Sequence, residues 1–144
     1  MALPRPNRPE YSTTVPSSGK KIKYQPFTVR EEKVLVLAAE SQDPDEITNS
    51  VSNCLRNCVT SPQDFNVEDL AIFDIEYLFL KCRAKSVGEK ITLRITDPED
   101  EDFVTDATIN VDKISVTKTK GHSNLIDIGG DIQVKMNYPN IDFF

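Results

Sequence analysis

Apolar residues along this chain fall into blocks with different periods. Residues 28–41, TVREEKVLVLAAES, follow a charged turn with the nearly unbroken run Val34, Leu35, Val36, Leu37 and Ala38. Thr28 stands at an N-cap position with Glu31 three residues on, the pattern of a capping box in which hydroxyl and carboxylate each satisfy an orphan N–H. Phe27, just before the cap, can staple onto the Lys33 methylenes or Val34. A first helix is predicted over 29–40. The second helix has Asp43 as N-cap, Pro44 at the first helical position, and Asp45 and Glu46 at the positive end of the dipole. Ile47, Val51, Cys54, Leu55 and Cys58 then form one apolar stripe, and Ser61-Pro62 ends it. A third helix is predicted over 67–86, capped by Asn66 or Asp64 and closed by Gly88. It is apolar nearly all round from Leu70 to Leu80, so it should be central or covered from outside.

After Gly88 the period falls to two. Ile91, Leu93 and Ile95 alternate, then Ile109 and Val111, then, after a one-residue slip, Ile114 and Val116. An acidic loop, DPEDED, occupies 97–102. The runs NLIDI and DIQVKM flank Gly129-Gly130, which reads as a hairpin with a two-residue loop. Ahead of the helices, KIKYQPF at 21–27 suits a short strand. Residues 1–19 hold four prolines among Ser and Thr, and read as an extended arm ordered only by something that holds it. The organisation predicted is an arm at 1–19, a helical core at 20–88 and an antiparallel β region at 89–144, all one compact domain. The fold class is α+β: a three-helix N-terminal core followed by a small antiparallel β region with a Gly-Gly hairpin.

Composition narrows the possibilities. The 144 residues suffice for one domain, 38% are hydrophobic, and the formal net charge is −6. No apolar window reaches the length of a membrane span, and the N-terminus lacks the apolar core of a secretory signal. An acidic chain is poorly suited to nonspecific nucleic-acid binding. Three cysteines are an odd number, read as reduced thiols in a cytoplasm.

Candidate chemistry is thin. Ser17-Ser18-Gly19-Lys20 hints at a phosphate loop, but Thr14 stands where the first glycine belongs and Lys21 where Ser or Thr must follow. Cys54, Cys58, Cys82 and His122 could supply four zinc ligands; their spacing fits no ordinary knuckle, and buried thiols are the commoner reading. His122 beside a cysteine would be needed for nucleophilic chemistry, and nothing local activates a thiol. The 97–102 loop lacks the oxygen spacing and central glycine of a calcium loop. Asp74 and Glu76 face different sides of the third helix. A catalytic carboxylate pair is one reading. A helix–helix or subunit salt bridge with Lys81, Arg83 or Lys85 is the stronger one. The sequence is therefore read as that of a non-enzyme without cofactor or metal. A cytoplasmic metal-binding or enzymatic domain is the remote alternative.

Three stretches carry a family resemblance: LPRPNRPEYSTTVPSSGKKIKYQPFTVREEKVLVLAAES (3–41), FDIEYLFLKCRAKSVGE (73–89) and GGDIQVKMNYP (129–139). In this order and spacing they resemble the baseplate hub subunit and hub assembly family of T4-like contractile-tailed bacteriophages. The resemblance covers nearly the whole chain and brings no catalytic residues. It implies a late viral protein of the tail baseplate hub, or a factor that assembles the hub, located in the virion after assembly in the host cytoplasm. A tail assembly chaperone not retained in the virion is the alternative. The implied partners are other tail or hub proteins, among them the tape-measure protein, or a second copy in a homo-oligomer, with no nucleic acid or membrane. Two departures stand out. Members often carry paired cysteines after the Ser-Val-Gly-Glu motif, whereas 90–110 here has none. They also continue past the Tyr-Pro position, so a chain ending at Ile141-Asp142-Phe143-Phe144 is expected to be a fragment or the ordered part of something longer.

Candidate interaction residues are Tyr11 and Pro16 in the arm, Tyr24 and Phe27 near the short strand, and Asp74, Glu76 and Tyr77 in the third helix. The arm should be dispensable for folding. The apolar excess of helices 29–40 and 67–86 should be buried mainly within an α-helical core, with the remainder covered by another protein.

Overall fold

The computed structural model describes residues 7–100 and 102–141. Seven short strands and three helices run in the order β1 (Tyr11–Thr14), β2 (Lys21–Tyr24), α1 (Val29–Ser41), α2 (Pro44–Cys58), β3 (Val59–Ser61), α3 (Ile72–Ser86), β4 (Lys90–Thr96), β5 (Val104–Asn110), β6 (Leu125–Gly129) and β7 (Ile132–Lys135). A 3₁₀ turn, Val111–Lys113, follows β5. All sheets are antiparallel: a three-stranded one in the order β1-β2-β3, and the two hairpins β4-β5 and β6-β7. The fold is α+β, as the change of period indicates.

The second helix begins as its residues dictate. The Asp43 carboxylate accepts the Asp45 N–H at 2.9 Å, and Pro44 follows the cap. At the start of α1, Glu31 accepts the Thr28 N–H at 2.9 Å and the Thr28 hydroxyl donates to the same carboxylate. Partial burial works against the charge on Glu31, but these two bonds outweigh it and hold the carboxyl below its usual 4.5.

Four expectations are corrected. The segment read as an extended arm contains β1, which pairs with β2 through Tyr11↔Tyr24 and Thr13↔Ile22. Val15, just beyond β1, is 1% exposed. Tyr, Thr and Val suit a pleated edge strand, and here they win over the neighbouring prolines. The third helix starts at Ile72, not 67. Val67 is buried ahead of it in a turn closed by the Leu70 N–H to the Val67 carbonyl at 3.1 Å. Ile114 and Val116 form no strand; the chain leaves β5 through the 3₁₀ turn, which buries Val111. The last hairpin turns one residue late. Gly130 and Asp131, with φ of 65° and 62°, occupy the two positive-φ positions between Gly129 and Ile132.

The core joins the first sheet to α2 and α3. Val15, Ile22, Tyr24, Cys54, Leu55, Cys58, Val67, Ile75, Leu78 and Cys82 make one buried cluster. Phe27 stacks on Phe79 at 6.4 Å between centroids and attaches the start of α1 to it. The core is thus a sheet packed with two helices rather than an all-helical one. Of α1 only Ala38 is buried, with Leu35 partly so. The apolar run of α1 was expected mostly inside; Val34, Val36 and Leu37 are exposed.

Candidate interaction site

Each candidate residue has a definite place. Tyr24 lies in the core, its ring 5.8 Å from that of Tyr11. Burial pushes the Tyr24 hydroxyl up to about 12. Tyr11 and Pro16 are half-buried. The Lys85 ammonium sits 5.5 Å from the Tyr11 ring centre and the Lys81 ammonium 5.1 Å from that of Tyr77. Tyr77 also brings its hydroxyl to 3.4 Å from Thr13 Oγ1, tying α3 to β1. These residues close the chain on itself.

Asp74 is completely buried. A buried carboxylate needs partners, and it has three donors. The Ser17 N–H reaches Oδ1 at 2.9 Å, the Ser17 hydroxyl donates to Oδ2, and the Ala71 N–H lies 3.3 Å from Oδ2. Glu76, two residues on, is exposed and forms no ion pair among the described residues. The expected salt bridge from this pair to Lys81, Arg83 or Lys85 does not form. Lys81 and Lys85 instead reach Asp112, at 3.9 and 3.2 Å, and Lys85 also pairs with Glu89 at 2.6 Å. The bond to Glu89 outweighs burial and, with the Asp112 carboxylate, pushes the Lys85 ammonium up.

The cysteines and the histidine do not meet in one site. Cys54, Cys58 and Cys82 are free and buried, with the first two sulfurs 4.0 Å apart. Hydrogen bonding to Cys58 and burial push the Cys54 and Cys82 thiols up; Cys58, as their acceptor, is pushed down. His122 is exposed and stacks on Tyr138 at 5.9 Å. Among the described residues, no group of three or more His, Cys, Asp or Glu is arranged to hold a metal ion. None of the helices described is long and apolar enough to cross a membrane.

Apolar side chains are exposed on several elements. On α1, Val36 and Leu37 are 51% and 65% exposed, beside Glu32, Lys33 and Glu40, in a shallow depression of about 400 Å³. Between α2 and α3 runs a groove of about 450 Å³ lined by Ile47, Thr48, Val51, Ile72, Ile75, Glu76 and Ile141. Both C-terminal hairpins carry exposed apolar side chains, Leu93 and Ile95 on one, Ile126, Ile128 and Ile132 on the other. In general, contiguous exposed apolar patches are a mark of protein contact surfaces. The hairpin faces were missed as candidates because strand alternation shows which side is apolar, not whether the same chain covers it.

The comparisons agree in direction with the surface. A family model described as T4 bacteriophage base plate protein matches residues 8–144. No curated protein matches, and no solved structure matches.

Proposed function

The chain belongs to the T4 bacteriophage base plate protein family, and on that premise we propose that it builds the central hub of the base plate, as a component or as the factor that assembles it. As a structural base plate protein it belongs to the phage tail and acts through contacts with other tail or base plate proteins. In this reading it does so without catalysis, and it joins the hub in the host cytoplasm.

One observation carries the reading: Val34, Val36 and Leu37 of α1 are exposed although they sit in a well-capped helix. Val34, Val36 and Leu37 in water cost solubility unless a partner covers them. Glu76 rims the second apolar groove and fits a subunit boundary, where a carboxylate keeps its hydration until the partner arrives.

The test is removal. Phage produced without this chain should yield no complete base plates by electron microscopy, while other tail parts accumulate. Complete base plates at the normal yield would overturn the proposal.

A further inference from the structure

The β4–β5 hairpin has two unlike faces. Its register pairs Ile91 with Ile109, Leu93 with Ala107 and Ile95 with Thr105, and these pairs share one face. Thr92, Arg94 and Thr96 lie on the other, with Arg94 close to its cross-strand partner Asp106 at 3.5 Å. The apolar face is open: Leu93, Ile95 and Ile109 are all exposed. Two strands alone are marginal in water and need a third strand or a packed layer. Among the described residues this sheet has only two strands, so each keeps a free edge.

The tip supplies the second observation. Residues 97–102 carry five carboxylates. Among the described residues of the tip, Asp97, Glu99, Asp100 and Asp102 enter no ion pair. The Asp97 and Asp100 carboxylates only accept N–H groups of their own turn, at 2.9 and 3.2 Å. An apolar strip ending in concentrated negative charge selects its occupant by charge. A second copy would bring the same acidic tip and a net charge of −6. A partner with a basic border would neutralise the tip while covering the strip.

We propose that the Leu93–Ile95–Ile109 face and the acidic tip form a docking surface for a different protein, one presenting an apolar strand or strip bordered by lysines or arginines. This deepens the base plate reading, from which it takes only the expectation that the occupant is another tail protein.

The test uses the intact chain and two labelled synthetic peptides with the same alternating valine–threonine core, one ended in lysines, the other in glutamates. Fluorescence anisotropy should show roughly tenfold tighter binding of the lysine-ended peptide at low salt, an advantage that shrinks as salt screens the tip. Ile95→Lys should abolish that binding without moving the melting curve. Asp100→Lys with Asp102→Lys should remove most of the preference between peptides. Equal binding of both peptides, binding of neither, or an unchanged preference in the charge-reversed variant would overturn the proposal. So would sedimentation of the chain alone as a dimer that Ile95→Lys dissociates, which would assign the face to a second copy. The measurement needs no base plate, so it can fail while the hub reading stands, and the reverse.

Discussion

The Ser17 N–H points at the Asp74 carboxylate across 2.9 Å, although 57 residues separate them in the chain. With the Ser17 hydroxyl and the Ala71 N–H, this contact fastens the segment after β1 to the first turn of α3. Replacing Asp74 by Ala removes the acceptor for all three donors. A loss of about 3 kcal/mol is expected, and a smaller one for Asp74→Asn, which keeps one oxygen. Denaturant midpoints of the two variants check this; an unchanged midpoint for Asp74→Ala would show that the contact contributes nothing.

The N-terminal segment is expected to matter for folding, contrary to what its prolines suggest. Val15, just after β1, belongs to the buried core, and β1 forms the edge of the first sheet. Val15→Ala should cost about 2 kcal/mol from lost burial and the cavity left behind. Removing residues 1–16 should abolish the cooperative thermal transition. A truncated chain that melts like the full one would restore the reading of a detachable arm.

The start of α1 should weaken in acid. Glu31 is held below its usual 4.5 in the folded chain, so its contribution is complete above that value and disappears as pH falls through the lower folded value. Glu31→Gln should remove part of this pH dependence, and Thr28→Ala should cost about 1 kcal/mol at neutral pH. Melting temperatures of these variants from about pH 3 to about pH 7 check both; identical pH profiles for Glu31→Gln and the unaltered chain would contradict the role given to Glu31.

Much of the fold can be read locally. Asp43-Pro44 with Asp45 and Glu46 announces α2, and the period-two runs announce the C-terminal hairpins, because caps and alternation depend on neighbours in the chain. The misreadings lie where distant residues decide. Nothing near Ser17 says that Asp74 will meet it, so β1 looked like an arm and Asp74 like a partner in a helix–helix or subunit salt bridge. Val67 and Leu70 continue the apolar pattern of α3 backwards, yet they serve the core from a turn. The apolar run of α1 was legible as composition but not as exposure, because a sequence does not state which molecule covers a surface. The same limit hid the hairpin faces.

The central claim is that uncovered apolar surface on this chain, the outer face of α1 foremost, is what the base plate uses. Leu37→Lys alters only that face, so stability should stay within about 0.5 kcal/mol of the unaltered chain. The most direct measurement is the yield of complete base plates, counted by electron microscopy, when phage lacking this chain are supplied with either form. The unaltered chain should restore complete base plates, and the folded Leu37→Lys variant should leave few or none. Restoration by both forms to the same yield would contradict the account.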